Sequence, residues 1–168
     1  MSRSWSSMRK QLERESICDS LKGRIQYFAT TYRKCPDQKG RVAVRLDGQE
    51  VFNSSYFCWC KTRHEVILDF PKPKEASDDY WDKVYIETEN RGGFSQFSFY
   101  EAFFYYQNHS VDACLTSDNA VVRLFTILDK RVGKRRLQKL LPELEQQPYW
   151  LKFFYVLRME AEGITQKI

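Results

Sequence analysis

Residues 41–52 read RVAVRLDGQEVF, and this stretch constrains the fold more than any other. Val42, Val44 and Leu46 alternate with Arg41, Ala43 and Arg45, so one face is apolar and the other carries charge. Asp47-Gly48 follows, a pair suited to a turn whose two central residues have positive φ, and Glu50–Phe52 return the chain. A hairpin is therefore expected. RIQYFATTYR (24–33), dense in β-branched and aromatic residues, adds a strand before it, and CPDQKG supplies the connecting turn. The result is an antiparallel meander.

Helical spacing dominates on either side. Trp5–Leu21 reads as an amphipathic helix with Met8, Leu12 and Ile17 inward, ending before Gly23. Tyr56–His64 reads as a short helix capped from Asn53-Ser54-Ser55, with strand as the alternative. After the loop FPKPKEASDD, KVYIET (83–88) has the composition of a strand that places Glu87 and Glu89 on one face. Ser98-x-x-Glu101 has the form of a capping box for a helix to about Asn108, with Phe99, Phe103 and Tyr106 on one side. Ser117-Asp118 would cap a helix reaching about Arg131. Leu137, Leu140, Leu141 and Leu144 mark another. Pro148 suits the first turn of a last helix, lined by Trp150, Phe153, Phe154, Leu157 and Ala161. The fold class is α+β: an N-terminal helix, a small antiparallel sheet, then three or four helices, in one domain over 1–168.

Composition excludes several classes. With 42% apolar residues and only 7 Gly and 5 Pro, the chain carries too much large apolar surface to stay disordered. No secretory h-region opens it and no apolar run reaches the 18 or so residues of a membrane span, so a cytoplasmic protein with no membrane role is expected. Five cysteines, an odd number, suit reduced thiols.

The net charge of +5 is unevenly placed: +5 over residues 1–53, −4 over 54–112 and +4 over 113–168. Its densest cationic segment is DKRVGKRRLQKL (129–140). Lys130 and Arg131 suit the last turn of a helix, where cations are favoured, and Gly133 lets the chain change direction. Lys134, Arg135 and Arg136 fall at the start of the next helix, where the dipole disfavours them. Nearby carboxylates (Asp129, Glu160 or Glu162) or an anionic partner must offset that. The spacing is not that of a Walker loop. KGRIQYFATTYRK (22–34) mixes rings with cations, as RNA binders do. It misses the RNA-recognition signature, because Arg24 stands where Phe or Tyr is required.

Other candidates have plain alternatives. Cys58-x-Cys60-x3-His64 has soft ligand types but lacks a matching fourth ligand, and packing explains the same letters. His109 and Cys114 lie close in sequence without a hydrolase signature. Asp78, Asp79, Asp82, Glu87 and Glu89 could serve a metal-dependent nuclease with Lys83, although an acidic stretch is ordinarily solvated. Eight rings in FSQFSFYEAFFYY (94–106) are core or a partner interface.

Taken together, SWSSMRKQLE, GRIQYFATTYR, RVAVRLDGQEV, LDKRVGKRRLQKL and LRMEAEGI resemble a family of short bacterial proteins with no assigned activity. The resemblance covers most of the chain and implies a complete single-domain protein of bacterial or phage origin. It brings no catalytic residue and no cofactor. The functional expectation is a non-enzymatic binding module acting through protein–protein contacts, with no metal or cofactor. The contact residues would be Lys130, Arg131, Lys134, Arg135 and Arg136. The alternative is RNA or DNA binding by the same 130–139 patch, extended by Arg41 and Arg45. A nuclease or other hydrolase is third.

Overall fold

The computed structural model describes residues 4–34 and 36–164. Ser4 caps the first helix, α1 (Trp5–Lys10), by accepting from the Ser7 amide. The helix does not run on to Leu21 as expected. It widens into a π-helical stretch, Gln11–Glu15, and then stops. The reason is competition for the backbone: Cys18 N donates to Leu128 O at 2.9 Å, Lys130 N donates to Ser16 O at 2.8 Å, and Ile17 bridges Asp129. Met8, Leu12 and Ile17 are nonetheless buried, as the spacing required.

The meander forms as read: β1 (Ile25–Ala29), β2 (Val42–Leu46) and β3 (Gln49–Ser54) pair antiparallel in that order. Tyr27 lies opposite Val44 in the register, and both are buried. Asp47 (φ 51°) and Gly48 (φ 82°) make the two-residue turn with both central residues left-handed.

Seven helices follow among the described residues. Ser55 caps α2 (Tyr56–Asp69) through the Cys58 amide, so helix rather than strand is correct there. Ser77 caps α3 (Asp78–Asn90), and KVYIET lies inside it instead of forming a strand. Asp78 and Asp79 favour the first turn, and Val84 and Thr88, one turn apart, are both buried. Tertiary packing overrides the strand propensity of this segment. Glu87 and Glu89 therefore point about 200° apart around the helix. Glu87 pairs with Arg91 outside, while Glu89 is buried.

The capping box of α4 (Gln96–Asn108) sits three residues earlier than read, between Ser95 and Ser98. α5 (Val111–Leu115) precedes α6 (Ala120–Ile127), whose cap is Asn119, accepting from Val121 N and Val122 N, not Ser117-Asp118. α6 ends four residues short of Arg131, because the buried Arg158 side chain takes up the carbonyls of Ile127 and Val132. After α7 (Lys134–Leu140), the last helix, α8 (Tyr149–Ala161), follows a Pro148 that stands just before it. Its inward face is Leu151, Phe154, Tyr155 and Met159; Phe153, read as inward, is 42% exposed. One continuous cluster joins these faces to the sheet, with the Phe125 ring edge-on to Tyr27, Phe99 and Tyr106. Phe99, Phe103 and Tyr106 of α4 are core. No helix among the described residues is long and apolar enough to cross a membrane.

Candidate functional site

The cations singled out in the sequence are mostly paired within the chain. Arg131 clamps the fully buried Asp129 through Nε at 3.0 Å and Nη2 at 2.7 Å, beneath the Tyr106 ring, and the Tyr106 hydroxyl donates to the same carboxylate. Arg136 meets Asp112 at 2.8 Å, a carboxylate not foreseen. Arg41 and Arg45 both pair with Glu50 and lie near the Phe28 ring. Glu162 bonds Arg158 and feels the charge of Lys134. Lys130, Lys134 and Arg135 are exposed and without an ion pair among the described residues. Gly133 caps α7 at φ −78°, so the change of direction does not require its conformational freedom.

The other sequence candidates do not converge. Cys58 and Cys60 are two residues apart on α2, on opposed sides. Among the described residues no group of three or more His, Cys, Asp or Glu could hold a metal ion. Cys18, Cys58, Cys60 and Cys114 are free thiols, and Cys35 lies outside the described residues. The His109 ring stacks on Tyr105 and its Nδ1 meets Tyr105 O, whereas the Cys114 thiol faces the backbone carbonyls of Tyr106 and His109. Burial holds that thiol above its ordinary value, the reverse of an activated nucleophile.

A different set of cations does converge. The β1–β2 loop, residues 31–39, is closed by Thr30 N donating to Arg41 O at 2.9 Å. Gly40 packs so tightly there that a Cβ would stand 1.5 Å from Thr30 O. Gln96, at the start of α4, fixes the loop from below: its Oε1 accepts from Gly40 N at 2.6 Å and its Nε2 donates to Gln38 O at 2.9 Å. Asp37 and Gln38 are consecutive left-handed residues, φ 56° and 53°. That is a strained conformation held by its surroundings.

This anchoring lays the Lys39 ammonium over the Trp59 ring, 3.3 Å from its centroid. α2 supplies Trp59 and, one turn on, Arg63; α3 supplies Trp81 and, one turn on, Tyr85. The Arg63 guanidinium lies 5.6 Å from the Trp59 centroid and 5.1 Å from that of Trp81, and the Lys72 ammonium is 5.4 Å from Trp81. Lys39, Trp59, Arg63, Trp81 and Tyr85, with Val84 and Thr88, line a cavity of about 310 Å³, and Lys72 stands against the Trp81 ring outside that lining. Among the described residues no carboxylate pairs with Lys39, Arg63 or Lys72. Burial holds the Lys39 ammonium below the usual lysine range and the Arg63 charge pushes the same way, against the opposing pull of Asp37. A larger apolar cavity, about 390 Å³, lies at Phe70, Tyr80 and Ile86, with Lys83, Glu87 and Asp118 also in its lining.

Behind the cavity wall lies an unusual carboxylate. Glu89 is fully buried and neither of its oxygens meets a hydrogen-bond partner. Burial pushes its pKa up to about 8 and the charge of Glu101 adds to this, while the nearby hydroxyls of Ser98 and Tyr85 pull the other way. The Tyr85 hydroxyl donates to Glu101 Oε2 at 3.0 Å with Ser98 Oγ at 3.5 Å. Tyr85 thus belongs to both the cavity wall and this acidic cluster.

The family model of the SF0329 protein family matches residues 4–159. The chain belongs to that family. Membership in a family spanning most of the chain, expected from the strings quoted above, therefore holds. Every residue lining the cavity, and the paired arginines at 131 and 136, lie inside the matched stretch. No curated protein and no solved structure matches the chain.

The sequence reading missed this site because Lys39, Trp59, Arg63 and Trp81 stand in three separate elements, one of them read as ending in a strand. Trp59-x3-Arg63 and Trp81-x3-Tyr85 were the available signal. Both are one-turn pairs; the first lies within the helix read at 56–64, and the second is visible only once 78–90 is taken as helix.

Proposed function

We propose that this protein is a non-enzymatic binding module that captures a small anionic ligand, of the phosphate-bearing class, between Lys39 and Arg63, with Lys72 adding positive charge from the neighbouring Trp81 ring. One observation carries this reading. These cations are held in place by tryptophan rings rather than by carboxylates. A ring fixes the position of a cation without cancelling its charge, whereas the Asp129, Asp112 and Glu50 partners of the other arginines largely cancel theirs. Two like charges side by side repel until an anion joins them. The planar fork of Arg63 beside the point charge of Lys39 suits a tetrahedral oxyanion. The cavity, at about 310 Å³, is in the range of small-ligand sites.

The protein-contact reading has less support, because most of the ring-rich face of α4 is core and Phe104 is its one largely exposed ring, at 71%. Nucleic-acid binding by the 130–139 patch is weakened by the pairing of Arg131 and Arg136. A nucleic-acid role fits better at the anion site, since Tyr32, Arg33 and Lys34 are exposed on the loop that delivers Lys39. Tryptophan fluorescence titrated with inorganic pyrophosphate, and separately with single-stranded RNA, tests the reading at low ionic strength. Saturable quenching by pyrophosphate is expected. Quenching by RNA alone would transfer the site to nucleic acid, and a flat response to both would remove it.

A further inference from the structure

Glu89 is the most anomalous group in the molecule. A carboxylate with no exposure and no hydrogen-bond partner is costly, so such groups are ordinarily satisfied, replaced or kept neutral. Its surroundings can be stated side by side. On its own helix stands the Tyr85 hydroxyl, one turn back. From α4 come the Ser98 hydroxyl and the Glu101 carboxylate. From α8, the Trp150 indole donates to the Glu89 backbone carbonyl at 3.1 Å, leaving the side chain untouched. No cation acts on it from any of these elements.

The groups that bear on Glu89 lead directly to the anion site. Tyr85 lines the cavity and hydrogen-bonds Glu101. Glu101, in turn, acts on the Lys39 ammonium. A charge appearing on Glu89 would oppose the cavity's positive field and would press against Glu101 across the Tyr85 and Ser98 hydroxyls.

We infer that Glu89 couples the anion site to a proton: the site takes its ligand with Glu89 neutral, and ionisation of Glu89 weakens that binding. Two effects point the same way. The new negative charge lowers the potential felt by an anion beside Lys39 and Arg63. In addition, the buried ion can be relieved only by admitting water or by turning Tyr85 away from Glu101, which alters the cavity wall. By linkage, ligand binding must favour the protonated carboxyl, so binding draws in a proton where Glu89 is partly ionised. The environment of Glu89 accords with this, since burial pushes its pKa up to about 8.

The inference rests on the anion-binding reading, and the experiment separates the two. Sulfate is the probe, because it stays fully ionised between pH 6 and 9, and its affinity is measured by calorimetry across that range. The wild type is compared with Glu89→Gln, Lys39→Arg and Tyr85→Phe. Wild-type affinity is expected to fall about tenfold from pH 7 to pH 9, within the usual span of coupled sites. Glu89→Gln should abolish that dependence, and Lys39→Arg should retain it, since arginine does not titrate there. Tyr85→Phe, should Glu89→Gln fail to fold, is expected to shrink the fall by severing the link to Glu101. A fall that persists in Glu89→Gln but vanishes in Lys39→Arg assigns the proton to the lysine and overturns the inference. A fall undiminished in Tyr85→Phe also counts against it. Absence of sulfate binding to the wild type at pH 7 would remove the anion site itself, and the coupling with it.

Discussion

The Lys39 ammonium sits 3.3 Å from the centroid of the Trp59 ring, with no carboxylate paired to it among the described residues. Cation–π contacts of this kind stabilise by about 0.5–2 kcal/mol. Trp59→Leu keeps an apolar side chain on α2 but releases the lysine. Pyrophosphate affinity should drop about threefold to thirtyfold in this variant, with little change in melting temperature. Unchanged affinity would show that the ring does not position the charge.

The loop that presents Lys39 depends on the absence of a side chain at residue 40. A Cβ there would meet Thr30 O at 1.5 Å and Thr30 C at 2.4 Å, backbone atoms that cannot step aside. Gly40→Ala should cost at least about 2 kcal/mol in urea unfolding and weaken anion binding as well, because Gln96 would lose its hold on Gly40 N and Gln38 O. A variant of wild-type stability would contradict the close packing of Thr30 and Gly40.

Asp129 organises the segment between α6 and α7. Its fully buried carboxylate accepts from the Arg131 amide at 2.7 Å, the Arg131 side chain and the Tyr106 hydroxyl. Removing it in Asp129→Ala leaves buried donors without an acceptor, and a loss of about 3 kcal/mol is expected. A loss below about 1 kcal/mol would mean that water replaces the carboxylate at little cost.

Stability should fall as pH rises because of Glu89. Its folded pKa, about 8, lies above the ordinary glutamate value of 4.5, so the folded state holds the proton more tightly than the unfolded one. The stabilisation is complete below about pH 4.5 and is lost as pH rises through 8, at about 1.4 kcal/mol per unit within that window. Other groups add their own slopes, so the comparison is with Glu89→Gln. Chemical denaturation at pH 6 and pH 8.5 should show the wild type losing more stability than this variant. Equal losses would place the Glu89 titration elsewhere.

The β2–β3 hairpin was legible from residues 41–52 alone, because Asp47-Gly48 is a local turn signal, and β1 from the β-branched and aromatic run at 24–33; Ala43, on the face expected to carry charge, is buried. The order of helix, sheet and helices was legible for the same reason. What was hidden depended on distant partners. The first helical stretch stops at Glu15, where residues 128–130 claim the backbone of Ser16 and Cys18, and α6 stops where Arg158 claims the Ile127 carbonyl. KVYIET is strand-like in composition yet helical, since Val84 and Thr88 face a core that the segment itself does not contain. The site followed the same logic. The densest run of cations drew attention in the sequence, but charge density does not reveal pairing. Asp112 lies 24 residues from Arg136, and no local pattern joins them. The cations held on tryptophan rings were scattered ones, at 39, 63 and 72, brought together by two loops and α2.

The most direct measurement of the central claim is calorimetric titration of inorganic pyrophosphate, at one low ionic strength, into the wild type and two double variants. In Lys39→Ala/Arg63→Ala the ring-held cations are gone; in Arg135→Ala/Arg136→Ala the basic segment loses two charges of the same sign. A loss of at least about a hundredfold is expected in the first, at roughly tenfold per charge-assisted contact, and a change within about twofold in the second. Retained binding in the first, or loss confined to the second, would contradict it and return the ligand to the 129–140 segment.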